Sequence, residues 1–381
     1  MRFDFTPEQD DFRNEVSAFL GETLTPQFWA HHESAELPEW SPSFSRAAAE
    51  RGLLGIAWPK AYGGRDKGLV EQAIYMEEMA YAGAPQEQHR RAVQQVGPSI
   101  MAFGTEEQKA RFLPGVSRGE ISFAMGLSEP NAGSDLAGVE ARAVRDGDEF
   151  VLNGEKKYTS GAHYSDYLWT VVRTDPQAPK HRGISMVVVP LNSPGVDIQP
   201  LVDPLGRHHF NKIFFTDVRV PVDNLIGEQN RGWYINAFTM DLERSGGAHI
   251  GNLRRLLDAA ARSFRGASVT SEAARMGLAD LAITVNVARL LSYRVAWLRS
   301  SGASPNYEVS IIKLLASEAT QRICALVVNA LGPAALVVRD GPWDSGWGSR
   351  HVAAIPATAG QGTSEIMRNI IATRGLGLPR G

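Results

Sequence analysis

"MGLSEPNAGSD", Met125 to Asp135, opposes both kinds of regular structure. Ser128-Glu129-Pro130 interrupts a helix, and Asn131-Ala132-Gly133-Ser134-Asp135 reads as a turn. No strand-forming run follows until Phe150. The small residues Ala132, Gly133 and Ser134 leave room for something to lie against the backbone amides and hydroxyls of this stretch. The patterning on its two sides differs, so it also divides the chain.

The first ~120 residues before it read as helical. Thr6-Pro7-Glu8-Gln9 is a capping box with proline at the first helical position. Phe12, Val16, Phe19 and Leu20 then fall on one face. Thr105-x-x-Gln108 opens a later helix that closes near Gly119, and Trp58-Pro59 with Tyr62-Gly63-Gly64 marks a tight loop between them. After the quoted stretch come short β-rich runs at 149–152, 167–173, 184–190 and 213–220. Asn153-Gly154, Ser193-Pro194-Gly195 and Pro221 separate or end them, a spacing that predicts a compact antiparallel sandwich or barrel. Helical patterning returns after Gly232, and the apolar segment 278–298 is expected to be buried among other helices.

The totals narrow the classes. With 381 residues, 43% hydrophobic and 21% charged, the chain is long enough for more than one packed layer and is not of disordered composition. A net charge of −3 supplies no general basic field for nucleic acid or anionic membrane. The single Cys324 excludes an intrachain disulfide and a cysteine metal site. The acidic start, MRFDFTPEQDD, is unlike a secretory signal, and the longest apolar run, Cys324 to Val338, is interrupted by Asn329 and Gly332-Pro333. No membrane span and a cytoplasmic location are therefore expected.

Chemistry-bearing motifs are few. No GxGxxG follows a strand, so a Rossmann site is unsupported. Gly360-Gln361-Gly362-Thr363 precedes a helical pattern; it reads either as an ordinary N-cap or as an anion site suited to a pyrophosphate. The pairs His31-His32 and His208-His209 place neighbouring side chains apart on a strand and make poor chelates, so no metal is expected. Glu243, in "MDLERSGG", sits on a helix, where a glutamate is usually just solvated.

Four stretches resemble the acyl-CoA dehydrogenase family: "MGLSEPNAGSDLAG" (125–138), "LNGEKKYTSGAHYSDY" (152–167), "FFTDVRVPVDNLIGE" (214–228) and "GTSEIMRNIIATRGLGLPR" (362–380). They occur in the family's order and spacing, and the similarity spans essentially the whole chain. "TSGAHYSDY", "HHFN" and "LGLPR" are most similar to actinobacterial members acting on bulky or steroid-type acyl-CoA. The resemblance implies an α+β fold: an N-terminal helical domain (1–120), a central small β-barrel (121–230) and a C-terminal four-helix bundle (231–381). It implies an FAD-dependent oxidoreductase that dehydrogenates an acyl-CoA thioester at the α,β-bond, passes electrons to an electron-transfer flavoprotein, and assembles as a homo- or hetero-tetramer.

By position in the family's motifs, Met125, Leu127 and Ser128 would lie against the flavin, with Tyr158 over it and Thr159 and Ser160 beside it. Thr363 and Glu365 would reach the pyrophosphate and ribose, and Ser134 the pantetheine arm of the thioester. Many members carry their catalytic glutamate at the position occupied here by Gln361, whose amide side chain has no basic lone pair. Others carry the base in an LxxER pattern on an earlier helix, which Asp241-Leu242-Glu243-Arg244 resembles. The resemblance thus assigns the base to Glu243, the backbone amide of Gln361 to the thioester oxygen, and Asp241 and Arg244 to the substrate's vicinity. Two segments depart from the family pattern. "ARSFRGASV" (261–269), with Arg262, replaces its Arg-x-x-Phe-Gly, and Leu331-Gly332-Pro333 replaces a glycine pair near the adenosine. The alternatives are a half-site or non-catalytic partner subunit of a heteromeric enzyme, and a flavoenzyme for acyl groups on a carrier protein.

Overall fold

A computed structural model describes residues 4–30, 40–243, 247–267, 271–336 and 346–379. The chain forms two compact units, neither of them a continuous stretch: residues 1–39, 67–85 and 244–381 make one, and residues 40–66 and 86–243 the other.

The first unit is helical. Its opening helix, Pro7–Thr23, starts on the expected capping box, with Gln9 N–H donating to Thr6 Oγ1 (3.3 Å) and Thr6 N–H to Gln9 Oε1 (3.1 Å). Phe12, Val16, Phe19 and Leu20 are buried, as their spacing predicts. Helices Gly247–Gly266, Glu272–Ser300 and Tyr307–Leu331 share a core that includes Leu253, Phe264, Leu281, Val285, Ile312 and Ile323. Helix Leu69–Ala82 lies so close to Gly247–Gly266 that a Cβ at Gly251 would stand 2.2 Å from the Glu77 carbonyl oxygen; only glycine permits that approach. Glu77 itself is buried and accepts from Arg254 Nη1, Arg289 Nε (2.7 Å) and the Tyr293 hydroxyl. This shared carboxylate ties three helices together; an unpaired buried charge there would be costly.

The segment 278–298, expected to be buried, is so on one side only. Leu281, Val285, Ala288 and Val295 face the core, while Met276, Ile283, Val287, Leu290 and Trp297 stand exposed on the same helix. The exposed set repeats at heptad-like spacing and forms one seam.

The second unit is built on one sheet. Its strands are β1 (Phe123–Gly126), β2 (Arg142–Asp146), β3 (Glu149–Ser160), β4 (Tyr167–Arg173), β5 (Ile184–Pro190), β6 (Val196–Val202), β7 (His208–Pro221) and β8 (Leu225–Ile226). They run in the order β6-β7-β3-β2-β4-β5-β8, with β1 added beside β4. The expectation of a wholly antiparallel sheet needs correction. The sheet is not wholly antiparallel, because β1 and β2 each pair with β4 in parallel. Its hydrogen-bonded path also ends at β6 and β8, with no pairing between those two among the described residues.

The β3 run was expected to stop at Asn153-Gly154, yet it continues to Ser160. The pair marks a register shift instead, where Gly154 adopts φ +138° and a Cβ would meet the Ala141 Cα at 2.6 Å. The sheet's buried side chains include Phe150, Leu152, Leu168, Val187, Ile213 and Val218.

Helices Pro42–Glu50, Glu87–Arg91, Gly97–Phe103, Glu106–Ser117 and Gly232–Glu243 also belong to this unit. Thr105 and Gln108 form the second expected capping box. Gln108 Nε2 then donates to the carbonyls of Asp223 (2.7 Å) and Leu225 (2.8 Å), fixing that helix to the turn before β8.

His89, on the short helix Glu87–Arg91, is buried beside Ser45, with Nδ1 2.5 Å from Oγ. Burial pushes its pKa down to about 4, against an opposing pull from Asp166. The folded state therefore resists protonation that the unfolded chain accepts below the ordinary histidine value of 6.5. Stability should fall as pH drops from about 6.5 toward 4, by on the order of 3 kcal/mol from this residue alone. Urea titrations at intervals across that window, compared with His89→Gln, check it: the variant should show the shallower pH slope.

Candidate active site

Met125 and Gly126 belong to β1 and are not part of the loop, a correction to the reading of Met125–Asp135 as wholly irregular. Met125 pairs with Trp169 of β4, and the Thr170 hydroxyl donates to the Gly126 carbonyl at 2.5 Å. The chain leaves the sheet at Leu127 and Ser128, both half-buried. Lys157 N–H donates to the Ser128 carbonyl at 2.8 Å, which draws β3 onto the loop within the second resembling stretch.

At that point β3 bulges. The pairing with β7 slips between Lys156 and Thr159, and Tyr158 takes φ +61°, a left-handed conformation that a bulky residue adopts at a cost. The bulge turns Tyr158 outward, so that it is 58% exposed, while Thr159 beside it is buried. The Thr159 hydroxyl has no partner among the described residues. The structure thus brings Met125, Leu127, Ser128, Tyr158, Thr159 and Ser160 together along one margin of the sheet. Ser134 lies farther along the loop on an exposed turn, next to Asp135, whose carboxylate is bonded to Lys180 Nζ (2.7 Å).

The loop is held from inside by a pair that the sequence reading did not single out. Lys156, fully buried, donates from Nζ to Glu129 Oε1 and to the Val171 carbonyl, each at 2.7 Å. Glu129 also accepts from the amides of Glu140 (2.6 Å) and Ala141 (3.1 Å). One carboxylate therefore closes both ends of the 129–141 segment. Burial lowers the Lys156 pKa, with the Glu129 charge opposing it. The available signal was a lysine at an inward-facing position of a strand, two residues before the bulge.

Helix Gly232–Glu243 carries the assigned base at its last residue. Its approach to β5 is close: a Cβ at Gly232 would lie 2.5 Å from the Ser185 carbonyl carbon. Thr239 meets Ser99 through their hydroxyls at 2.8 Å. Asp241 is half-buried on the same helix. The Glu243 side chain and all of Arg244 lie outside the described residues.

The remaining assigned residues belong to the helical unit. Thr363 is an N-cap, accepting from Ile366 N–H at 3.2 Å, and opens helix Ser364–Ile370. Ahead of it, Gln361 at φ +59° and Gly362 at φ +94° are both left-handed. Two successive left-handed residues turn the chain sharply, and for glutamine that conformation costs energy that a function commonly explains. Glu365 lies exposed in the first turn; hydrogen bonds from its own amide and from the Thr363 hydroxyl hold its carboxyl below the usual range.

His208 stacks on His163 with ring centroids 3.9 Å apart, and both rings bond the Asn211 side-chain oxygen. His31-His32 lies outside the described residues. Among the described residues no cluster of His, Cys, Asp or Glu could hold a metal ion, and no helix is long and apolar enough to cross a membrane.

Three models of the acyl-CoA dehydrogenase family match consecutive parts of the chain: the N-terminal domain at residues 6–120, the middle domain at 124–218 and the C-terminal domain at 230–376. The chain belongs to the acyl-CoA dehydrogenase family. Membership makes it an FAD-dependent oxidoreductase by class and bears out the expected fold, with helical terminal regions and a central sheet.

Among curated relatives it is 34% identical to acyl-CoA dehydrogenase FadE26 of Mycobacterium tuberculosis, over 100% of this chain and 99% of that one. Among solved structures it is similar to a steroid acyl-CoA dehydrogenase, Tcur3481-Tcur3483, with TM-score 0.90, 32% identity and full coverage of both chains. It is also similar to the ChsE4-ChsE5 complex from Mycobacterium tuberculosis, with TM-score 0.85, 33% identity and full coverage of both chains. These relatives bear out the resemblance to actinobacterial, steroid-type members of the acyl-CoA dehydrogenase family.

Proposed function

We propose that this acyl-CoA dehydrogenase family member oxidises a bulky, steroid-type acyl-CoA thioester to its 2-enoyl thioester. Electrons would pass to an electron-transfer flavoprotein. The observation that carries this reading is the Lys157-to-Ser128 backbone bond, which gathers the two flavin-type motifs at one edge of the sheet. The residues fit FAD: an exposed aromatic ring at Tyr158 offers a stacking surface, and the buried Thr159 hydroxyl still needs a partner. Met125, Leu127, Ser128, Tyr158, Thr159 and Ser160 would hold the ring system, and Thr363 and Glu365 the pyrophosphate and ribose. Bound FAD supplies an acceptor for the β-hydride.

The chain's own residues do the rest. Glu243 takes the α-proton on its carboxylate, converting a weak carbon acid into a removable hydrogen. The Gln361 amide donates to the thioester oxygen as negative charge gathers there, and its left-handed backbone suits an amide turned out of the helix start. Ser134, Asp241 and Arg244 would position the thioester. The proposed domain limits are 1–120, 121–230 and 231–381.

Purified protein should be yellow, and anaerobic addition of a bulky acyl-CoA should bleach it. Bulky or branched thioesters should outperform butyryl-CoA in kcat/KM; a maximum with butyryl-CoA would remove the substrate class while leaving the dehydrogenase.

The exposed seam Met276, Ile283, Val287, Leu290 and Trp297 supports a tetrameric assembly, since a row of large apolar side chains gains from burial. Light scattering should give a multiple of 41.5 kDa, and Val287→Asp with Leu290→Asp should lower it. A wild-type monomer that binds FAD would contradict the assembly.

The second reading, a half-site subunit of a heteromer, is favoured by Leu331-Gly332-Pro333 in place of the family's glycine pair and by the likeness to a two-protein complex. A chain that is colourless alone and yellow with a co-expressed partner would select it.

A further inference from the structure

Residues 92–96, Ala92 to Val96, form a π-turn between helices Glu87–Arg91 and Gly97–Phe103. Its cause is visible in the sequence: Pro98 has no N–H to give to the Gln94 carbonyl, and Gly97 N–H instead reaches Ala92 O. Two side chains then secure the carbonyls of the turn. Trp58 Nε1 donates to Val93 O at 2.9 Å, and Ser99 Oγ to Gln95 O at 2.7 Å. Two carbonyls of the turn are thus held by side chains, but two of its own side chains lack partners. Gln95 is fully buried with neither its amide oxygen nor its amide nitrogen partnered among the described residues, and the buried Gln94 leaves its oxygen unpartnered as well.

The neighbouring helix places these amides. Ser99 meets Thr239, and the face of Gly227 is shared by Phe103 and Ile235. Moving four residues up one helix therefore matches moving four residues down the other, so the two run antiparallel. One turn from Ser99 is Gln95, and one turn from Thr239 is Glu243. Gln95 therefore stands at the level of the turn that carries the proposed base.

We propose that Gln94 and Gln95 form a hydrogen-bonding subsite for an oxygen atom, hydroxyl or carbonyl, borne by the acyl chain beyond its β-carbon. The inference rests on the dehydrogenase reading of Glu243 and deepens it to a substrate class. A buried amide with no partner loses its hydration without return, and it disfavours a plain alkyl chain in the same place. An amide presents one acceptor and one donor group, complementary to a hydroxyl or to a carbonyl with its bound water. A site built around such groups rejects the analogue that lacks the oxygen far better than an apolar pocket separates chain lengths.

The test compares acyl-CoA thioesters with a hydroxyl, or a keto group, at successive carbons beyond the β-carbon against their alkyl parents. The kcat/KM ratio of oxygenated to parent thioester is measured for wild type, Gln95→Met and Gln94→Met. Wild type should favour one oxygenated position, and Gln95→Met should reduce that preference roughly ten- to a hundredfold, with Gln94→Met moving it in the same direction. The hydroxyl and keto series separate the two sources of oxygen. Ligand-free Gln95→Met should melt no lower than wild type, because it removes an unsatisfied amide.

A ratio unchanged in both variants would overturn the proposal, as would a large loss of melting temperature showing that the amides serve only the interior. So would a thioester complex in which both amides bond ordered water alone while the ratio stays fixed. Absence of dehydrogenation with every thioester would instead refute the dehydrogenase reading, so the two failures are distinguishable.

Discussion

Glu243→Gln should give a folded, yellow protein in which substrate no longer bleaches the flavin at a useful rate. The change preserves size and hydrogen-bonding capacity and removes only the basic lone pair. Losing a positioned general base lowers the rate by about 10²–10⁴. Gln361→Ala should do far less, because the role assigned at 361 belongs to the backbone amide. Gln361→Glu introduced into Glu243→Gln would place a carboxylate where other family members carry theirs, and partial recovery is expected if it faces the α-carbon. Stopped-flow bleaching without oxygen measures the chemical step in all four proteins.

Lys156→Met should cost about 3–5 kcal/mol of stability, the usual effect of stripping one partner from a buried ion pair. Glu129 would keep its two amide donors, from Glu140 and Ala141, but would lose the cation that offsets its burial. Denaturant titration of wild type and variant measures this deficit, and a loss below about 1 kcal/mol would show that the ion pair contributes little. Because Glu129 closes the 129–141 segment, flavin retention should weaken in parallel.

Much of this architecture was legible in the sequence, and for identifiable reasons. The capping boxes at Thr6 and Thr105 are local chemistry, complete within four residues, and both formed as read. Strands β4 and β5 matched their β-rich runs to the residue because their side chains are buried on both faces. Where pairing depends on distant partners, the reading failed. Strand β1 is short and gains its identity from β4, more than forty residues later, with Phe123 paired to Tyr167. The β2–β3 hairpin turns at Gly147-Asp148, where the φ of +62° at Gly147 fits the signal of a two-residue turn with glycine first. That signal was present and passed over.

The site divides along the same line. The flavin-type stretches could be recognised because each is contiguous. Their meeting at Ser128 and Lys157 could not, since it depends on a bulge that forms only in the sheet. Lys156 and Glu129 lie 27 positions apart, and nothing local pairs them. The amides of Gln94 and Gln95 look like ordinary polar helix residues until their burial is known.

The most direct test of the central claim is one anaerobic mixing experiment. Purified wild-type protein, alone and with a co-expressed partner subunit, is mixed with a bulky acyl-CoA while the visible flavin band and the thioester products are followed. The account predicts a yellow protein whose band is bleached in step with formation of one enoyl-CoA per flavin. A protein that binds FAD in either preparation, yet leaves both flavin and thioester unchanged across bulky and short acyl chains, would contradict it.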